Sequence, residues 1–171
     1  LCASEAAVRA LDRAVEAFAA HRADLVAHID AALALDPGLV RALVLRATAT
    51  RLSGRSSDLL AAQASVSAAQ AAMGERGATE GEAAIVRALE AWCARDADRA
   101  LTELEGAIAT EPRDLFAVKA SHALHFMLGR SRAMRSSLER ALTAWRGSGL
   151  RGEGALLGCH AFSLIETGAV S

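Results

Sequence analysis

The stretch LVAHIDAALALDPGLVRALVLRATATRLSGR (25–55) aligns without a gap with ALTELEGAIATEPRDLFAVKASHALHFMLGR (100–130). The same shift places Pro37 on Pro112 and the pair Gly54-Arg55 on Gly129-Arg130. A fixed internal period is the sequence signature of a protein built from stacked repeats. We therefore expect a single helical-repeat domain across residues 1–171.

The composition indicates an all-α fold. Alanine is the commonest residue, tyrosine is absent, and only two prolines occur. Alanine loses no side-chain entropy in a helix and lets helices pack closely. The aromatic content of 4% is too low for a large β-sheet.

Charge and cysteine usage limit the function classes. The formal net charge of -1 argues against a nucleic-acid surface, which needs a phosphate-neutralising excess of basic residues. The three cysteines, Cys2, Cys93 and Cys159, show no CxxC spacing, so we interpret them as small buried residues in a reducing compartment, the cytoplasm. No run of eighteen apolar residues occurs, and we expect no membrane span.

Helix signals divide the chain into nine helices with short connections. Ser4 and Asp96 are expected as N-caps, Thr79 and Glu82 as a capping box, and Pro37 in the first turn of the third helix. Short connections make neighbouring helices antiparallel. The pattern predicts a right-handed α-solenoid of four helical hairpins and an unpaired ninth helix, with helices at about 4–20, 23–35, 37–52, 57–73, 79–94, 96–110, 113–128, 131–145 and 155–167.

The unpaired ninth helix predicts a covering partner. Under the internal shift, residues 168–171 fall on 93–96, the turn that precedes the second helix of a hairpin. Leu156, Leu157, Leu164 and Ile165 would then be exposed, whereas a terminal repeat normally has a polar outer face. We expect a fragment of a longer solenoid, covered by its own C-terminal repeats, or a homodimer formed through this helix.

The repeated stretches resemble the tetratricopeptide repeat. Small, large apolar, small and proline residues stand at the offsets of that repeat, followed by a glycine: Leu25, Ile29, Ala32, Pro37 and Gly54, then Ala100, Leu104, Ala107, Pro112 and Gly129. The resemblance implies a tetratricopeptide-type solenoid with a concave groove.

A more specific resemblance covers residues 100–168. The run EPRDLFAVKASHALHFMLGRSRAMRSSLERAL (111–142) and the later LLGCHAFSLIETG (156–168) are similar to the tetratricopeptide-repeat protein 38 family. Its members carry an LHFFLG-like helix bracketed by histidines, an AMRDS-like turn and an MHAFGLEE-like helix. Ala123 and Ile165 depart from that pattern, since acidic residues are common at both positions. The family has no settled biochemical activity, so the resemblance implies a fold more than a function.

The groove implied by the repeat frame is the favoured binding surface. Its stripe is aromatic and apolar with basic edges, which suits a peptide that carries an anionic group. The predicted function is a scaffold that binds a protein or peptide, or its own C-terminal repeats, through Arg51, Trp92, Phe116, Lys119, Phe126 and His160. The structural alternative is that Trp92 and Phe126 only fill gaps between repeats.

The histidines support an alternative function. His122 and His125 are three residues apart and so neighbour each other on one helix face. With His160 and Glu166 they would form a polar site of a small-molecule-binding protein or an enzyme. The repeat frame instead directs His122 and His125 towards the partner helix and His160 into the groove. No HExxH, P-loop, GxSxG or GxGxxG motif occurs, so we predict no catalytic residue, metal or cofactor.

Overall fold

The computed structural model describes residues 4–169, apart from the side chain of Ser56, and the regular structure of this part is entirely helical. This confirms the all-α prediction. A short 3₁₀ turn, Ser56–Asp58, accompanies nine α-helices: α1 (Glu5–Ala19), α2 (Leu25–Leu35), α3 (Val40–Leu52), α4 (Leu59–Arg76), α5 (Glu80–Cys93), α6 (Ala97–Thr110), α7 (Leu115–Met127), α8 (Ser131–Trp145) and α9 (Glu153–Glu166).

The predicted helix caps are confirmed. Ser4 accepts a hydrogen bond from the backbone N–H of Ala7 at 3.2 Å, and Thr79 with Glu82 forms a complete capping box at the start of α5. The Asp96 carboxylate accepts from the N–H of Arg99 at 3.0 Å. Each cap satisfies a backbone donor that the first helical turn leaves without a partner.

The two prolines lie outside the helices they precede, so the expected place of Pro37 in the first turn was wrong. The Asp36 carboxylate accepts a hydrogen bond from the backbone N–H of Gly38, and the Asp36 carbonyl accepts one from the N–H of Leu39, each at 3.1 Å. Glu111 forms the same two bonds around Pro112, at 3.2 and 3.0 Å. These bonds close a tight turn that delays the start of α3 and α7, and the turn recurs at the predicted internal shift.

The odd-numbered helices end alike. Each is followed by a residue with positive φ, a conformation that glycine adopts at least cost. Glycine stands at three of these five positions, which are His21 (53°), Gly54 (72°), Arg95 (64°), Gly129 (67°) and Gly168 (66°). Two even-numbered helices, α4 and α8, are likewise followed by a glycine with positive φ, Gly77 (77°) and Gly147 (68°).

Helices that are consecutive in the chain pack against one another. The odd-numbered helices also contact each other, α1 against α3 and α3 against α5. In addition α1 packs against α7, although five helices separate them in the chain. The contact between α1 and α7 determines the geometry of the site.

The ninth helix packs against α8 and is only partly exposed. Leu156 is fully buried, contrary to the prediction, because α9 turns it into the common hydrophobic core. Leu157 and Ile165 are exposed as expected, at 47% and 62%. Among the described helices, none combines the length and apolar character that a membrane crossing requires.

Candidate functional site

The contact between α1 and α7 rests on an aromatic pair, beside which an arginine of α3 also contacts α7. The rings of Phe18 and Phe116 lie 5.6 Å apart between centroids. Arg41 lies 5.7 Å over the Phe116 ring and forms two hydrogen-bonded contacts with Asp114, at 2.7 and 2.8 Å. A bidentate pair of this kind fixes orientation as well as distance. The ion pair ties α3 to the start of α7, and the Phe18 ring packs α1 against the same Phe116 side chain.

This packing leaves a cavity of about 410 Å³ beside the end of α1, here named the Lys119 cavity. It lies between α1, α7 and α9, with Leu52 of α3 at one side. Most of its lining is apolar and aromatic, and the lining residues are Phe18, Ala19, His21, Leu52, Lys119, His122, Ala123, Phe126, Ala155, Gly158, Cys159 and Phe162. A concave apolar site with a few polar groups is the usual form of a small-molecule site.

Lys119, the only lysine of the chain, is the charged group of this cavity. Its side chain is buried, with 4% exposure. Its Nζ lies 3.2 Å from Cys159 Sγ, to which it donates, and 3.3 Å from His21 Nε2. No carboxylate of residues 4–169 forms an ion pair with it, which is unusual because buried charges are normally paired.

The two histidines of the cavity are uncharged at neutral pH. Burial, followed by the charge of Lys119, lowers the pKa of His122 to about 4. The charge of Lys119, followed by burial, lowers the pKa of His21 below its usual 6.5. The buried Nδ1 of His122 has no hydrogen-bond partner among the described residues. This nitrogen is inaccessible to solvent, so it is an unsatisfied polar atom behind the cavity lining.

The four residues of the predicted polar site do not converge. Of these only His122 lines the Lys119 cavity. His125 lies 3.6 Å from Glu105, His160 lies 3.5 Å from Glu139 of α8, and Glu166 is exposed at the end of α9. The side-chain directions expected from the repeat frame were therefore wrong for two histidines. His122 lines the Lys119 cavity instead of packing against the partner helix, and His160 faces α8 instead of the groove. In the described part of the chain, no group of three His, Cys, Asp or Glu side chains is arranged to hold a metal ion.

Glu105 organises a separate polar cluster between α6, α7 and α8. Ser121 and Ser137 each donate to its carboxylate at 2.6 Å, and Arg140 does so at 2.6 Å. Burial alone would raise the pKa of Glu105, but the adjacent His125, the two serines and the charge of Arg140 lower it to about 2. This carboxylate is fully engaged in holding three helices together, and His125 belongs to that structural cluster.

The six predicted groove residues are divided among several places. Lys119 and Phe126 line the cavity, where Phe126 lies edge-on to Phe162 with centroids 5.2 Å apart. Arg51 lies 5.4 Å over the ring of Trp92, which is buried. Phe116, also buried, and His160 lie outside the cavity, as described above.

Two polar residues of the cavity were not predicted as site residues. His21 follows α1 in a left-handed conformation, at a position where α3, α7 and α9 have glycine. Cys159 was interpreted as a small buried residue, and both Cys159 and Cys93 are buried free thiols, whereas Cys2 lies outside the described residues. A histidine at a glycine position is the sequence signal that would have drawn attention to His21.

No protein-family model matches the chain. No solved structure matches it with significant similarity. Membership of the tetratricopeptide-repeat protein 38 family therefore stays a prediction from sequence resemblance.

Proposed function

We propose that this chain is a small-molecule-binding protein of tetratricopeptide-like helical repeats, and that the Lys119 cavity holds an apolar ligand with a carboxylate head group. The observation that carries the proposal is the buried Lys119 ammonium without a carboxylate partner among the described residues. Removing a charge from water is unfavourable unless an opposite charge compensates it. A ligand carboxylate at Nζ supplies that charge.

The walls of the cavity support an apolar body for the ligand. Phe18, Phe126, Phe162 and Leu52 offer hydrocarbon surface, while the polar groups gather around Lys119. At about 30 Å³ per heavy atom, 410 Å³ accommodates roughly ten to fifteen such atoms. A medium-chain fatty acid such as decanoate has this size and polarity.

The rim of the cavity supports access from solvent. His21 and Gly158 are exposed, and Phe126 is half-exposed. All three line the cavity, so a ligand reaches Lys119 between them without unfolding of a helix.

Calorimetric titration with decanoate and with decanol tests the role of the charge. Wild-type protein should bind decanoate about 10–100-fold more tightly than decanol, because a hydrogen bond to a charged group contributes about 1.5–3 kcal/mol. Lys119→Met should remove this preference. Arg132→Met, which removes an exposed positive charge elsewhere, is the matched control and should keep it. Equal affinity for the two ligands in wild-type protein, or unchanged decanoate binding in Lys119→Met, would contradict the proposal.

A second candidate is a peptide-binding scaffold, as predicted from sequence, but on a surface that includes only Phe116 of the six predicted residues. It is favoured by a wider depression of about 840 Å³ beside the middle of α1, on the other side of Phe116. Five arginines line it against three acidic residues, and Arg13 and Arg113 form no ion pair with any residue in 4–169. Such a surplus suits an acidic peptide.

Fluorescence anisotropy with a labelled decapeptide of glutamates tests this second candidate. The wild-type protein should bind it more tightly than the matched glutamine peptide, and Arg13→Ala with Arg113→Ala should weaken that binding. Equal binding of the two peptides would exclude recognition through these arginines.

A further inference from the structure

We propose that Cys159 is a nucleophile in the Lys119 cavity, where it forms a thioether with apolar α,β-unsaturated ketones. The inference rests on the proposed function, since it requires that the cavity admit a small apolar ligand. It adds a second ligand class, soft electrophiles, and a covalent outcome.

The environment of Cys159 activates its sulfur. Lys119 Nζ donates a hydrogen bond to Sγ at 3.2 Å, so an ammonium group lies beside the sulfur when it attacks an electrophile. The sulfur is buried within α9, yet it lines a cavity that opens to solvent. An electrophile that fills the apolar part of the cavity is therefore brought beside the sulfur and the ammonium together.

His122 is a further polar residue of the cavity lining. Its buried Nδ1 has no partner within the described part of the chain. Cys159 is thus one member of a cluster that consists of a thiol, an amine and an imidazole.

The other described cysteine provides an internal comparison. Cys93, the last residue of α5, is also buried, but it lies outside the lining of the Lys119 cavity. Burial raises the pKa of Cys93, although the charge of Arg51 opposes this. A buried thiol without an adjacent open cavity is chemically inert.

The reaction needs no oxidant, metal or leaving group. The thiolate sulfur forms a bond to the β-carbon of the ketone, the carbon–carbon double bond opens, and its electron pair moves through the α-carbon to the carbonyl oxygen. The proton of the Cys159 thiol leaves to water. The Lys119 ammonium donates a proton to the resulting enolate and regains one from water. That proton ends on the α-carbon, so the product is the saturated ketone attached through sulfur.

Mass spectrometry of proteolytic peptides measures the reaction at each cysteine. A Cys2→Ser protein is incubated at pH 7 with trans-3-nonen-2-one, and the adducts on Cys159 and Cys93 are followed with time. We expect Cys159 to react at least about tenfold faster than Cys93, since only Cys159 lines an open cavity and accepts a hydrogen bond from an ammonium group. Lys119→Met should slow Cys159 by a similar factor without changing Cys93, and Lys119→Arg should retain part of the rate. Equal rates at the two cysteines, or a Cys159 rate unaffected by Lys119→Met, would overturn the inference.

Decanoate competition separates this inference from the proposed function. Decanoate should slow the reaction at Cys159 alone, since Cys93 lies outside the Lys119 cavity. If decanoate does not bind but Cys159 still reacts in a Lys119-dependent way, the carboxylate proposal fails and the nucleophile stands. If decanoate binds and Cys159 does not react, the nucleophile fails alone. Circular dichroism of each variant verifies that its helices are intact.

Discussion

Protonation of His122 should make the stability of this protein depend on pH between about 6.5 and 4. Burial, with the charge of Lys119 as the second cause, lowers the pKa of His122 to about 4. In the unfolded chain the same imidazole has a pKa near 6.5. Between these values the unfolded chain binds a proton at this residue and the folded protein does not. Acidification through this window therefore favours unfolding, and the loss is complete below about pH 4.

The magnitude follows from the two pKa values. Between pH 7.5 and pH 5, His122 without solvent screening would lower the free energy of unfolding by about 2 kcal/mol. This loss accrues at about 1.4 kcal/mol per pH unit between pH 6.5 and pH 5. His122 is only partly buried, so solvent screening reduces this contribution to about 1–2 kcal/mol. The pKa of His21 is also lowered, which adds a smaller effect of the same sign.

Urea unfolding of wild-type protein and His122→Gln at the two pH values isolates this contribution. Glutamine keeps a polar side chain of similar length and does not titrate. The wild-type free energy of unfolding should fall by about 1–2 kcal/mol more than that of the variant. Titration of His21 and the carboxylates is common to both proteins and cancels in the comparison. The same loss in both proteins would show that His122 does not have a depressed pKa in the folded state.

Two further substitutions test the packing around the site. Phe116→Ala should reduce the free energy of unfolding by about 3–5 kcal/mol in urea titrations, because Phe116 is 2% exposed and contacts Phe18 and Arg41. Phe126→Ala, at a half-exposed ring, is the matched control, and an equal loss in both would contradict the assigned core role of Phe116. Glu105→Gln should reduce the free energy of unfolding by about 1–3 kcal/mol in the same titrations. The reason is that a neutral amide replaces a carboxylate that accepts hydrogen bonds from two serines and Arg140. A loss below about 0.5 kcal/mol would argue against a stabilising role of this cluster.

Local signals made the helices predictable. Ser4, Thr79 and Asp96 cap helices because their side chains accept hydrogen bonds from backbone groups three residues away. Pro37 was misplaced because a carboxylate turn around it, formed by Asp36, competes with the first helical turn. Both outcomes depend on residues that are close in the chain, where sequence reasoning is strongest.

The cavity was not predictable because it depends on contacts between distant residues. Lys119 meets His21 and Cys159 across separations of 98 and 40 residues. The repeat pattern predicts how each hairpin packs on the next, but it does not predict that the first helix packs against the seventh. Without that docking, Lys119 was assigned to an open groove, and Cys159 was assigned only a packing role.

The docking of α1 onto α7 also bears on how the chain folds. When each repeat contacts only its neighbours, a solenoid unfolds in stages from its ends. Here Phe18 against Phe116 joins helices far apart in the chain, and Arg151 meets Glu16 across a separation of 135 residues at 3.2 Å. These contacts between distant residues raise the contact order, which slows folding. They also couple α1 to α7 and to the segment before α9. Fraying of α1 then exposes the core of α7 as well, so the repeats should melt as one cooperative unit.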